Sequence, residues 1–297
     1  MKPPRIVVIT RPTDYEGLLA RHGTREQARF FLASRGRDLA EVEGRHRRVQ
    51  AALTAVAGAI PSAWRRTRLA RPDLARFVFE PEDLVVAVGQ DGLIANVAKY
   101  LQGQPVVGVN PDPDWIPGVL ARHRPEAVGD MLATVAAGRG VVEARTMVEA
   151  VLDDGQRLLA LNEIFLGHVS HQSARYTLRW GARHERQSSS GLIVATGTGA
   201  TGWALSIHRQ HASPAPLPAP SEAALAFFVR EPWPSAGTGT SLGTGALPAG
   251  EALEAVSEMN EGGTLFGDGL EADRIPLGWG VGVRLGVAKE RLRLVVG

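Results

Sequence analysis

The stretch Leu84-Val85-Val86-Ala87-Val88-Gly89-Gln90-Asp91-Gly92 leaves the fewest architectures open. Five apolar residues, four of them branched, end abruptly at a glycine. That pattern reads as a strand buried on both faces, running into a turn at its carboxyl end. A helical pattern, Leu93 to Leu101, follows at once. Strand, turn and helix in this order build open α/β sheets, which bind ligands beyond the carboxyl ends of their strands. Gly89 and Gly92 let the backbone turn tightly and approach a bulky anion. The helix start can face a phosphate, and Asp91 puts one carboxylate at the point of approach. The same nine residues also fit a plain strand-turn-helix corner with Asp91 as the helix cap.

The surrounding chain repeats the rhythm. Arg5 to Thr10 reads as a first strand, followed by helical stretches at Thr24 to Ser34 and Asp38 to Ala59. The second of these carries Leu39, Val42, Val49, Leu53 and Val56 close to helical spacing. Phe77 to Phe79 is a candidate short strand, and Pro105 to Asn110 a further buried one. The expectation is a doubly wound, Rossmann-like α/β domain over residues 1–124. Asn110 to Gly118, with three prolines and two acids, is a loop at the same sheet edge as Asp91.

Beyond a helical piece from Pro125 to Gly138 the pattern changes. Val141 to Leu152, Arg157 to Leu166, Ala174 to Trp180 and Leu192 to Thr196 are short apolar runs separated by turn residues, and Gly280 to Leu285 alternates. Many short strands predict a mostly antiparallel β-rich domain over 125–297, so the fold class is α/β + β. Ala212 to Pro220 and Gly237 to Gly245 read as low-complexity loops.

Composition narrows the chemistry. The 297 residues include no cysteine, which excludes disulfides, thiolate catalysis and cysteine-bound metal. No apolar stretch reaches the roughly 20 residues of a membrane helix, and Met-Lys-Pro-Pro-Arg leads into a strand-like run rather than a secretion signal. A soluble cytoplasmic protein is expected. Residues 1–80 hold 16 Arg or Lys against 8 Asp or Glu, and the rest 17 against 23. The basic region suits phosphate ligands or solvated helix faces. Without interleaved aromatics or a recognition motif it gives no support to nucleic-acid binding. His168 and His171 form a His-x-x-His pair with His184 further along, and no third ligand is placed by spacing.

Two further stretches can carry chemistry. Leu161-Asn162-Glu163-Ile164-Phe165 sets an amide and a carboxylate among large apolar residues, and buried polar groups need partners. A sugar hydroxyl, an adenine edge or a structural hydrogen-bond pair would serve. Gly191 to Trp203 runs a strand into Gly197-x-Gly199-x-x-Gly202. This formally satisfies the dinucleotide fingerprint, but no second strand ends in an acid about 20 residues on. A Gly- and Thr-rich loop that hydrogen-bonds a ligand, with Trp203 available for stacking, is the better reading.

Together these stretches resemble the NAD kinase family, whose members phosphorylate the 2′-hydroxyl of the adenosine ribose of NAD. Gly89-Gln90-Asp91-Gly92-Leu93 matches the family's Gly-Gly-Asp-Gly-Thr in part, Asn162-Glu163 its Asn-Glu motif, and Thr196 to Trp203 its Thr-rich loop. The branch containing mitochondrial NAD kinase is the more similar one, in Val109 to Pro113, Ser189 to Leu192, Thr196 to Gly199 and Trp203. Only the Asp motif is shared with diacylglycerol and sphingosine kinases. The resemblance implies ATP, or polyphosphate, as donor with Mg²⁺ carried on the nucleotide, NAD or NADH as acceptor, a homodimer or larger assembly, and an active site between the two domains. It implies Asp91 as the group that orients or deprotonates the hydroxyl, and Gly89, Gln90 and Gly92 as the phosphate turn. Asn110, Asn162, Glu163, Thr198, Thr201, Gly202, Trp203 and Ser206 would hold the substrate. Gln90 and Leu93 depart from the motif on the donor side, which leaves open a kinase of another small hydroxyl compound or a non-catalytic nucleotide-binding homologue.

Overall fold

The computed structural model describes residues 3–210 and 216–297, which fall into two compact units. Met1–Glu143 with Arg293–Gly297 form one, and Ala144–Leu292 the other. The division comes later than the 124/125 boundary expected from composition, because the helix after residue 125 packs on the first unit's core.

The first unit runs β1 (Arg5–Thr10), α1 (Asp14–His22), α2 (Arg25–Ala33), α3 (Leu39–Ala59), β2 (Arg65–Ala70), β3 (Leu84–Val88), α4 (Asp91–Ala98), β4 (Pro105–Val109) and α5 (Val128–Ala136). Its strands pair in the order β2-β1-β3-β4, all parallel, with Arg293 and Leu294 alongside β4. Residues alternate across the sheet as the pleat requires. Ile6, Val8, Val86 and Val88 pack against α3 and α5, while α4 covers the opposite face of β3 and β4. Helices on both faces make the sheet doubly wound, as expected. Arg5 fixes β1 beside the start of β3, donating to both oxygens of the buried Asp83 at 2.8 and 2.6 Å.

Three local readings are corrected. The edge strand is Arg65–Ala70, whose only buried residue is Leu69, so its sequence shows no apolar run. Phe77 to Phe79 form no strand, since the place beside β1 is already taken; their rings meet edge to face under Arg5. Helix α1 was not expected either. It is defined by a capping box in which Thr13 and Glu16 exchange hydrogen bonds.

The second unit continues with β5 (Val142–Leu152), β6 (Arg157–Ala160), β7 (Glu163–His168), β8 (Ala174–Trp180), β9 (Arg183–Ser189), β10 (Leu192–Ala195), α6 (Trp203–Gln210), β11 (Ala224–Val229), β12 (Thr244–Pro248), β13 (Ala252–Ser257), β14 (Gly263–Gly267), β15 (Ile275–Pro276) and β16 (Gly282–Val295). One sheet has the order β12-β11-β10-β7-β14-β15, and its pairs are antiparallel. A second set joins β16, β13, β8 and β9, again with antiparallel pairing where β13 meets β16 and β8. Tyr176, Phe227, Leu166 and Leu253 are among the wholly buried residues packed between the two. The opposite face of β7, β10 and β11 is covered by α6 through Phe165, Ile193, Ala204, Ile207 and Phe228. Thus the α/β + β class holds. Of the Ala212 to Pro220 loop, residues 212–215 lie outside the described residues. Among the described residues no helix is long and apolar enough to cross a membrane.

Candidate functional site

In the first unit the strand order places β1 at the point where the chain reverses direction across the sheet, with β2 on one side and β3 on the other. Carboxyl ends at such a point are the binding edge of an open α/β sheet. Thr10 and Arg11 leave β1 there, Gly89 and Gln90 leave β3, and Asn110 leaves β4, all lining one cavity. The turn is tight. A Cβ on Gly89 would sit 3.0 Å from Leu93 Cδ2, so Leu93 is buried under the turn rather than offered to a ligand. Around Gly92, by contrast, no atom from outside its own stretch of helix backbone lies within 4 Å of where a Cβ would stand.

Asp91 is the first residue of α4, and Gln90 the cap position before it, without a side-chain cap bond. The Asp91 carboxylate faces the 119–121 backbone. Oδ2 accepts from Val119 N at 2.8 Å, and Oδ1 from Leu120 N and Ala121 N at 2.9 and 2.8 Å. Of the roughly four lone-pair sites of a carboxylate, these bonds occupy three and leave one, on Oδ2. Asn110 is likewise engaged inside its loop: Nδ2 donates to Ile116 O at 2.7 Å, and Oδ1 accepts from Asp112 N at 3.0 Å. Nothing in the sequence signalled either bond, because the partners are backbone groups of a proline-rich loop.

In the second unit the expected single strand Arg157 to Leu166 is broken at Leu161-Asn162. Asp268 is the cause. Its Oδ2 accepts from Leu161 N at 3.1 Å and its Oδ1 from Asn162 N at 2.7 Å, while its own N–H donates to Glu163 O at 3.0 Å. Asp268 adopts a left-handed φ of 55°, a region Asp tolerates better than most residues. The sequence showed it only as half of an Asp-Gly turn signal.

The break leaves Asn162 and Glu163 at the head of β7 rather than inside a strand. Among the described residues the Asn162 side chain makes no hydrogen bond. Glu163 is 9% exposed, and its carboxyl too has no protein hydrogen bond. Burial, and then the charge of Asp268, push its pKa up to about 7. A buried carboxyl and an amide on consecutive residues, without hydrogen-bond partners among the described residues, are what a polar ligand would satisfy.

The Thr-rich turn packs against this pair. Thr196 Oγ1 donates to Leu161 O at 2.5 Å and accepts from Thr198 N and Gly199 N at 3.1 and 3.3 Å. A Cβ on Gly199 would lie 2.3 Å from Asn162 O, so the turn comes this close only through glycine. Thr198 is buried, 3.5 Å from Arg145 Nη1, and Thr201 Oγ1 donates to Thr198 O at 2.9 Å. Gly202 accepts at its carbonyl from the backbone N–H of Ser206, whose residue is exposed on α6. Trp203 is not a free platform. It stacks on Phe165 at 5.8 Å, and the Arg230 guanidinium stands 5.4 Å from its ring centre. The structure therefore groups Gly89, Gln90, Asp91, Gly92 and Asn110 in one unit, and Asn162, Glu163, Thr198, Thr201, Gly202, Trp203 and Ser206 in the other. Among the described residues no three His, Asp or Glu side chains gather as metal ligands.

No protein-family profile matches the chain. The NAD kinase of Nitrosococcus oceani is 37% identical over 132 residues, which are 42% of this chain and 44% of that protein. Other curated NAD kinases match over similar shares, so the chain aligns with less than half the length of these relatives. Among solved structures, yeast NADH kinase complexed with NADH superposes with a TM-score of 0.64 at 16% identity, covering 99% of this chain and 84% of that one. The NAD kinase of Archaeoglobus fulgidus in complex with ATP gives 0.60 at 18%, covering 98% and 93%.

Proposed function

We propose that this chain, a relative of the NAD kinases that carries their fold, transfers the γ-phosphate of ATP to the 2′-hydroxyl of the adenosine ribose of NAD or NADH, forming NADP or NADPH. The observation that carries the reading is the buried Glu163 carboxyl, next in sequence to the Asn162 amide, neither with a hydrogen-bond partner among the described residues. A ribose bears hydroxyls that can both donate to a carboxylate and accept from an amide. With its pKa near neutrality, Glu163 can accept from a hydroxyl when ionised or donate when protonated. In this reading Thr198, Thr201, Gly202, Trp203 and Ser206 contribute to the same ligand site.

On the donor side the Gly89-Gln90-Asp91-Gly92 turn receives the phosphates at the start of α4. Asp91 orients the attacking hydroxyl through the lone pair left open on Oδ2, and its other three bonds hold it in place. Phosphoryl transfer proceeds through a loose transition state and asks more of positioning than of proton abstraction. A carboxylate fixed by three amides suits that task. Mg²⁺ would enter as the counter-ion of the triphosphate, where it neutralises charge; no protein cage is assigned to it. A cytoplasmic homodimer or larger assembly, nearest the branch of mitochondrial NAD kinase, completes the proposal on the strength of the sequence resemblance.

The test is to supply ATP and Mg²⁺ with NAD, NADH or a panel of nucleosides, and to identify products by mass and with an NADP-specific dehydrogenase. NADP or NADPH formation that is lost in Glu163→Ala and Asp91→Asn supports the assignment. A nucleoside phosphate as sole product, or product formation unchanged in both variants, refutes it.

A further inference from the structure

The second unit holds a cavity that no sequence motif singled out. His168 at the end of β7, Arg175 on β8, Glu258, Asn260 and Glu261 between β13 and β14, and Trp279 before β16 all line it. Strand β7 begins at Glu163, so His168 lies about 17 Å along the strand from that residue. The enclosed space is about 160 Å³, the share of roughly five liquid waters.

The charges on its wall are not balanced against each other. Glu258 is committed, since Oε1 accepts from Thr177 Oγ1 at 2.9 Å and Oε2 from Arg186 Nε at 2.5 Å. Glu261 and Arg175 are both solvent-accessible, and among the described residues neither side chain forms an ion pair or a hydrogen bond. A free cation and a free anion therefore face one cavity without lying within ion-pair distance of each other. A ligand that answers both carries one charge of each sign. His168 is wall rather than contact: its Nδ1 accepts from Ser170 N at 3.0 Å, and its partnerless Nε2 is covered by Gly262, where a Cβ would lie 2.2 Å away.

Trp279 stands at the rim, 61% exposed, between Gly278 and Gly280. Its turn is anchored on both sides, by Leu277 N to Gly263 O at 2.9 Å and Gly280 N to Ser257 O at 2.8 Å. The backbone thus holds an indole at the mouth of the cavity that the core does not bury. An exposed, fixed ring is a stacking surface for a flat group.

We propose that this cavity binds a free aromatic amino acid as its zwitterion. The ligand's carboxylate meets Arg175, its ammonium group meets Glu261, and its ring lies on Trp279. The nitrogen, Cα and carboxylate of the ligand match a space of roughly five waters, while the side chain stays on the open rim. A bare anion or a bare cation leaves one of the two charges unanswered, which makes the pair a filter for zwitterions. The site is independent of the phosphotransferase reading.

The test titrates the full chain with phenylalanine, N-acetylphenylalanine, phenylalanine amide and alanine, by calorimetry and by tryptophan emission, after a melting curve has shown each variant to be folded. Phenylalanine should bind. The acetyl derivative lacks the ammonium group and the amide lacks the carboxylate, so each should bind about tenfold more weakly or worse, the loss expected for a charge-assisted hydrogen bond. Arg175→Met and Glu261→Gln should each weaken phenylalanine binding to the same extent, and either serves where the other fails to fold. Trp279→Leu should weaken it several-fold and remove the emission change on binding, and alanine should bind wild type several-fold more weakly than phenylalanine does. Arg179→Met takes the same charge from an exposed position on β8 outside the cavity and should change affinity by no more than about twofold. No binding of phenylalanine to the wild type, equal affinity for the acetyl or amide derivative, or affinity unchanged in both Arg175→Met and Glu261→Gln overturns the proposal.

Discussion

Replacing Glu163 by glutamine should stabilise the Ala144–Leu292 unit above neutral pH and leave it nearly unchanged in acid. The carboxyl is 9% exposed, and its pKa lies at about 7 in the folded chain against 4.5 for a free glutamate. A raised carboxyl pKa means that the folded state binds this proton more tightly than the unfolded state does. The associated stability is fully present below about pH 4.5 and is lost as pH rises through about 7. At about 1.4 kcal/mol per pH unit the interval corresponds to roughly 3 kcal/mol. Glutamine keeps the shape and carries no proton to lose, so Glu163→Gln should gain most of that amount at pH 8 to 9 relative to the wild type. The assay is urea denaturation from pH 5 to 9, followed by tryptophan emission, since four of the six tryptophans (Trp180, Trp203, Trp233 and Trp279) lie in this unit. The quantity compared is the difference between variant and wild type at each pH, which cancels the titration of groups common to both. A flat difference across that range, or one that favours the wild type in alkali, would refute the reasoning.

Three other outcomes follow from the geometry. Asp91→Asn sets an amide N–H₂ or a weaker carbonyl against three backbone donors, and should destabilise the ligand-free chain by about 2 kcal/mol with faster amide exchange at residues 119–121; unchanged exchange there would contradict the anchoring role. Gly199→Ala brings a methyl to within 2.3 Å of Asn162 O. It should cost about 2–4 kcal/mol in denaturation and abolish acceptor binding, and a variant as stable as the wild type would show the contact to be dispensable. His123, with Nε2 2.9 Å from Val295 O, has its pKa lowered by burial, against the opposing pull of that bond. The unfolded chain therefore takes up this proton first, and stability falls as pH drops below about 6.5; His123→Gln should flatten that acid limb of the denaturation curve.

The fold was legible wherever burial on both faces left an unbroken apolar run, as in Leu84–Val88 and Leu192–Ala195. It was hidden where charge covers an edge, as in Arg65–Ala70, and where a strand is cut by a residue far along the chain. Asn162 and Glu163 announced themselves because polar groups among large apolar residues require an explanation. Asp268, which divides β6 from β7 and shapes that pair, could not be matched to them by any local pattern, since its hydrogen bonds span more than a hundred residues.

The bonding of Asp91 bears on how descent in such proteins is read. A carboxylate that folds the 119–121 segment is kept by selection for a stable protein alone, whatever becomes of turnover. A lineage that abandoned phosphoryl transfer would still carry this aspartate, so its survival in a sequence records the loop it builds. Groups the fold does not use say more about a ligand, and among the described residues the Asn162 amide and the Glu163 carboxyl have no hydrogen-bond partner.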